Sequence, residues 1–260
     1  MADRTHKRGR VWGGIAAMAA DHETRELVAQ SCRILGGLGL TKAATGHVSA
    51  LSPDGKYVLV RARGRDERGV RYTTAEQIIA VDFSGKKLDG PDGLEAPQEV
   101  FIHTSLYKAR PDVRCVTHIH PMKVVLFTIC DKPIEPIYGA YDPSSLDMIL
   151  EGIPTYERSI TITDDVLGGD LVAAMGDKKV CLMRGHGITT VGASVEEATL
   201  HAIRLNEAAE MNYRAALLGG ARRISDEDIA HFRNKREKRG GSSGKNLEAV
   251  WRYYTELSGA

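Results

Sequence analysis

Apolar positions along the chain switch between a two-residue and a three-to-four-residue period, and the switches mark out the elements. Leu27, Val28, Ile34 and Leu35 recur at helical spacing, predicting a helix from His22 to about Gly36, stopped by Gly36-Gly37-Leu38-Gly39. Thr45 to Ser49 and Tyr57 to Arg61 flank the turn Pro53-Asp54-Gly55 and predict a β-hairpin, and Ile78 to Asp82 predicts a further strand. A helix is expected from Ala96 to about Arg110, with Pro97 in its first turn. Val116, His118 and His120 then alternate with Cys115, Thr117 and Ile119 as a strand. Helices over Pro121–Cys130, Ser144–Leu150 and Asp165–Met175 follow, then a buried strand Lys179–Met183 with Ile188–Val191 as its partner. Ser194-Val195-Glu196-Glu197 caps the longest helix, which runs to Leu218 before Gly219-Gly220. Mixed element order with mainly antiparallel pairing predicts an α/β fold.

This periodic region spans 22–220 as one domain. Residues 1–21 have no clear period and read as an N-terminal arm, and 221–260 as a C-terminal extension. That extension holds a charge run from Arg233 to Arg239, a flexible run from Gly240 to Gly244, and a terminal helix over Leu247–Leu257 carrying Trp251, Tyr253 and Tyr254.

Charge changes the picture by exclusion. Lys and Arg number 35 against 34 Asp and Glu, so there is no basic excess to hold nucleic acid or a membrane surface. No apolar run approaches the roughly 20 residues of a membrane span, and Ile15–Ala20 is too short for a secretion signal. The cysteines at 32, 115, 130 and 181 have no paired spacing, which predicts reduced thiols and a cytoplasmic setting.

The candidate chemistry lies in histidines. On a strand, His118 and His120 point to one side about 6–7 Å apart at Cα, from where two imidazoles can converge on one ion; strand-end histidines satisfied by backbone or water are the plain alternative. His186, between Gly185 and Gly187, is the natural third ligand, and three protein ligands leave a catalytic metal an open position. Glu99 and His103 are four apart and share a helical face; an acidic residue near a helix start needs no function by itself. Between the hairpin and the next strand lies a loop with arginines at 61, 63, 65, 68 and 71, either a solvated tip or, beside a metal, a carboxylate clamp.

Gly46-His47-Val48-Ser49, Glu99 lying 19 residues before His118, His118-Ile119-His120-Pro121, and Arg184-Gly185-His186-Gly187 before a capped long helix together resemble the class II aldolase and adducin head family over about residues 22–218. The resemblance implies a three-layer α/β/α fold with a central, mostly antiparallel nine-stranded sheet. It also implies a homotetramer with active sites at subunit interfaces. One divalent metal per subunit (zinc, manganese, cobalt or iron) would rest on His118, His120 and His186, with Glu99 as acid/base and no organic cofactor. Where sugar-phosphate aldolases of the family hold phosphate, this chain has Gly46-His47, Thr73-Thr74-Ala75-Glu76 and Pro97-Gln98, so the phosphate donors are largely gone. The arginine loop is more similar to the branch that decarboxylates hydroxylated aromatic dicarboxylates, of the dihydroxyphthalate and hydroxy-methylpyridine-dicarboxylate kind. On that reading Arg65 and Arg71 fix a retained carboxylate, with Tyr138, Tyr141, Trp251 or Tyr254 against the ring and His47 beside the metal. An aldolase acting on an unphosphorylated hydroxy-aldehyde or hydroxy-keto acid, a non-catalytic adducin-like scaffold, and an iron-dependent oxygenase stay open as alternatives.

Overall fold

A computed structural model describes residues 8–238 and 244–260. The expectations for residues 1–7, for Arg239 at the end of the charge run, and for the glycine-serine run at 240–243 lie outside the described residues. In chain order the elements are α1 (Arg8–Gly37), β1 (His47–Leu51), β2 (Val58–Arg61), β3 (Arg63–Gly64), β4 (Ile78–Val81), β5 (Lys87–Asp89), β6 (Leu94–Glu95), α2 (Val100–Ala109), β7 (Cys115–Ile119) and α3 (Met122–Ile129). They continue with α4 (Pro143–Glu151), β8 (Thr155–Tyr156), α5 (Asp165–Met175), β9 (Val180–Met183), β10 (Gly187–Gly192), α6 (Val195–Leu217), α7 (Asp226–Lys238) and α8 (Gly244–Ser258).

The central sheet has the order β5-β4-β2-β1-β7-β10-β9-β8 and is antiparallel except for the β8–β9 pair. Among the described residues it has eight strands where nine were expected. After Ala62 the chain leaves the sheet, and β3 pairs with β6 as a separate two-stranded ribbon.

Strand alternation distributes the core to both faces. Val48, Ala50, Cys115, Ile119 and Ile188 face a layer that contains α1 and α6, while Val58, Val60, Val116 and Val191 face α2 and α5. Ile34, Leu35, Ile102 and Leu171 are among the fully buried side chains, each contributing about 1.5–3 kcal/mol by leaving water. Both α-layers and the sheet between them match the three-layer expectation.

Two local expectations change. The first helix starts at Arg8 rather than His22, so residues 8–21 continue α1; Ala16, Ala17, Ala19 and Ala20 favour helix without marking a face. Pro97 lies before α2, in a turn in which Val100 N–H donates to its carbonyl at 3.0 Å, and Glu99 is the helix's N-cap. The terminal helix α8 lays Leu247, Val250, Trp251 and Tyr254 on the α1/α6 core. Ser194 caps α6 as expected, its hydroxyl accepting from Glu197 N–H at 3.2 Å.

Candidate metal centre

Strand register, a turn and a helix start assemble the site. β1 and β7 pair with His47 opposite His118 and Ser49 opposite Val116, so His47, Ser49 and His118 stand on the sheet face covered by α2. His120 keeps that parity just past the end of β7. His186 comes from the three-residue turn between β9 and β10, where Gly185 takes a left-handed φ of 60° and His186 N–H donates to Met183 O at 3.0 Å. Glu99 enters from the start of α2, its Oε1 accepting Ile162 N–H at 3.0 Å.

The donor atoms of Glu99, His118, His120 and His186 all lie within 4.8 Å of one another. His118 Nε2 stands 2.9 Å from His120 Nε2, and Glu99 Oε2 lies 3.6 Å from His118 Nε2 and 3.5 Å from His186 Nε2. His118 Nδ1 is 3.0 Å from Ile188 O, so Nδ1 carries the ring proton and Nε2 is left as a lone pair aimed into the cluster. A lone pair, two further imidazoles and a carboxylate crowded together call for a cation. Nitrogen and oxygen ligands at about 2.0–2.2 Å from one ion suit that set, so the residues present fit a divalent metal.

The electrostatics agree. Burial, then the neighbouring His118 and His186, push the His120 pKa down to about 3, and burial also lowers that of His118. Both rings therefore stay neutral and able to ligate. Burial raises the pKa of Glu99, but the imidazoles of His118 and His186 beside its Oε2 outweigh it and hold the carboxyl below its ordinary range. His186 Nδ1 is buried with no partner among the described residues.

A second polar set adjoins the first. His47 Nδ1 is 2.6 Å from His103 Nε2, His103 Nδ1 is 2.6 Å from Ser49 Oγ, and Ser49 Oγ is 2.8 Å from the Tyr107 hydroxyl. The His47 ring centroid is 5.1 Å from that of His118. Glu99, His103 and Tyr107 recur every four residues along α2, one polar stripe against the polar side of β1. The Glu99/His103 spacing pointed toward this stripe, but Ser49 and Tyr107 look in sequence like ordinary hairpin and helix residues.

The arginine loop is rearranged relative to expectation. Arg61 is buried and structural: its Nε donates to Thr73 Oγ1 at 3.0 Å and its Nη2 to Glu67 Oε1 at 2.8 Å. Arg65 is exposed, and Arg71 opens onto a separate cavity shared with Arg33 and Glu76, so neither is brought to the cluster. The half-buried Arg63, ion-paired with Glu67 Oε1 at 3.2 Å, is the loop arginine whose charge reaches Glu99, His47 and His120. Burial lowers its pKa.

The expected ring contacts are also elsewhere. Tyr138 stacks edge-on with Tyr141, centroids 5.5 Å apart. Tyr254 donates to Glu207 of α6 at 2.9 Å, and Trp251 packs on the core beneath α8. Among the described residues, none of these aromatics is joined to the histidine set. Cys32, Cys115 and Cys181 are buried free thiols with pKa values raised by burial, while Cys130 is free and exposed. Among the described residues no helix is long and apolar enough to cross a membrane.

Comparison with known proteins adds three findings. Residues 26–213 match the Class II Aldolase and Adducin N-terminal domain. The chain is 35% identical to a 3,4-dihydroxyphthalate decarboxylase from Arthrobacter keyseri, covering 94% of this chain and 96% of that protein, and 36% identical to one from Rhodococcus jostii, covering 88% and 93%. Its fold is similar to that of an aldolase II superfamily protein from Pseudomonas syringae, with a TM-score of 0.78 at 25% identity over 92% of this chain and 93% of that one.

Proposed function

The chain belongs to the class II aldolase and adducin family, and from that premise we propose that it is a metal-dependent decarboxylase of a hydroxylated aromatic dicarboxylate such as a dihydroxyphthalate, working in aromatic-compound catabolism. The reading is carried by a complete four-residue donor set in a chain similar, over nearly its whole length, to dihydroxyphthalate decarboxylases. A divalent ion on His118, His120 and His186 would supply a Lewis acid that stabilises negative charge on a neighbouring substrate oxygen.

The protein's own groups do the rest. Glu99, its carboxyl held below the ordinary carboxylate range, accepts at Oε2 the proton of the ring hydroxyl as substrate binds. When the carbon–carbon bond to the departing carboxylate breaks, its electron pair stays on the ring carbon and carbon dioxide leaves. That carbon then takes the proton from Glu99, forming the new carbon–hydrogen bond and restoring the carboxylate. Arg63, held by Glu67, fixes the carboxylate that is retained. Exposed Met122 and Ile129 on α3 and Tyr213 and Leu217 on α6 support assembly with further copies, as a homotetramer with sites at subunit interfaces. Three buried, unpaired thiols favour a cytoplasmic setting.

The test is carbon dioxide release from 3,4-dihydroxyphthalate by protein stripped of metal and then reconstituted with zinc, manganese, cobalt or iron in turn. Release with at least one metal, abolished by chelator, is expected. Cleavage of hydroxy-aldehyde adducts without carbon dioxide release would move the reading to an aldolase.

A further inference from the structure

The chain Tyr107–Ser49–His103–His47 runs from the core to the wall of the metal centre, and its proton directions follow from counting donors. Tyr107 and His103 lie on one face of α2, and Ser49 and His47 on the facing side of β1, so a rigid helix and a rigid strand clamp the whole series. His103 and Ser49 are fully buried, and His47 is 2% and Tyr107 7% exposed. The contacts of 2.6, 2.6 and 2.8 Å are close enough that each must carry a proton between its two heavy atoms.

Three arrangements of neutral rings exist. In the first, His47 donates from Nδ1 to His103, His103 donates from Nδ1 to Ser49, and Ser49 donates to the Tyr107 oxygen. The Tyr107 hydroxyl proton then has no acceptor among the described residues: Ser49 Oγ is its side-chain partner, and its backbone bond with Val116 lowers the phenol's pKa, as a donated N–H does. Burying an unpaired hydroxyl is costly. In the second, Ser49 accepts from both His103 Nδ1 and Tyr107, and its own buried proton is the one left without an acceptor. In the third, Tyr107 donates to Ser49, Ser49 donates to His103 Nδ1, and His103 donates from Nε2 to His47 Nδ1. Every buried proton is then used, and His47 must carry its own on Nε2, the nitrogen given no hydrogen bond among the described residues.

Resting on the decarboxylase reading above, we propose that Tyr107, Ser49 and His103 are positioning residues that lock His47 as an Nε2–H donor, and that this donor binds an anionic oxygen of the substrate beside the metal. The arrangement is neutral throughout, so it offers a hydrogen bond of fixed direction without adding a proton to the site. The histidine at position 47 then selects an oxyanion over a hydroxyl proton, as a hydroxylated carboxylate substrate requires.

Ring-nitrogen NMR on the zinc-loaded protein reads the tautomers without substrate, and steady-state kinetics with 3,4-dihydroxyphthalate reads their consequence. Protonated Nε2 is expected at both His47 and His103. Tyr107→Phe, which keeps the ring volume, and Ser49→Ala should each populate the Nδ1–H form and raise KM about three- to tenfold with zinc content unchanged; His47→Phe should raise it roughly ten- to a hundredfold. Nδ1–H at His47 and His103 in the wild-type protein, or unaltered tautomers and KM in both Tyr107→Phe and Ser49→Ala, overturns the proposal. If no hydroxylated aromatic acid is decarboxylated while both Nε2 protons are found, the enzymatic reading and its oxyanion partner fall and the tautomer lock alone stands.

Discussion

Adding a single methyl group at Gly187 tests how β10 presents the metal centre. A Cβ there would stand 2.4 Å from Ile119 O and 2.6 Å from His120 Cδ2, whereas ordinary van der Waals contact begins at 3.4 Å. Relief therefore takes about 1 Å of movement at one or both neighbours. Ile119 is held by the β7–β10 ladder, opposite Ile188, so the His120 ring, just past the end of its strand, gives way more readily. Gly187→Ala should cost about 1–3 kcal/mol of stability, the usual range for overpacking. For a chain of this size that lowers Tm by roughly 2–4 °C per kcal/mol. A His120 ring displaced from the donor set should weaken zinc binding about 10–100-fold, the scale seen when support of a metal ligand is disturbed. Competition with a chromophoric chelator measures the affinity, and thermal unfolding of the metal-free protein measures the packing cost. Wild-type values in both assays would refute the close approach on which the reasoning rests.

Other perturbations separate the remaining roles. Glu99→Gln should keep zinc bound while slowing decarboxylation by roughly two to four orders of magnitude; turnover near wild type would remove Glu99 from proton transfer. Arg63→Ala should raise KM for a dicarboxylate about ten- to a hundredfold with kcat little changed, and Arg65→Ala and Arg71→Ala should leave both near wild type; the opposite ranking would return the clamp to the exposed arginines. His103 has its pKa pushed down from 6.5 to about 3, by burial and then by His118. Below pH 6.5 the unfolded chain binds a proton at this imidazole that the folded chain refuses. Stability is thus full above 6.5 and falls as pH drops toward 3, by about 1.4 kcal/mol per unit. Urea unfolding of the metal-free protein at pH 5 should give a free energy about 2 kcal/mol below that at pH 7 from this group alone, and equal values would contradict its burial as a neutral ring.

Local chemistry was legible where it repeats along the chain. The alternation through His118 and His120, the glycines around His186 and the cap at Ser194 each follow from short-range geometry, and the helices from α3 to α6 fall within a residue or two of where their periods place them. Side-chain destinations were not legible when they depend on which surfaces meet. Five arginines in one loop are equivalent in sequence, yet the exit of the chain from the sheet after Ala62 buries Arg61, leaves Arg65 in solvent and half-buries Arg63 near Glu99. Trp251 and Tyr254 suit an aromatic site as residues, but the amphipathic face of α8 finds more apolar surface on α1 and α6. Ser49 and Tyr107 gain a role only because α2 lies across β1, a contact between segments about 58 residues apart that no local period encodes. The amino-acid order by itself determined which groups could hold a metal and which segments would be strands or helices; tertiary packing decided which of the many polar side chains share a desolvated space with that metal, since burial and mutual distance belong to the assembled layers and not to any one stretch.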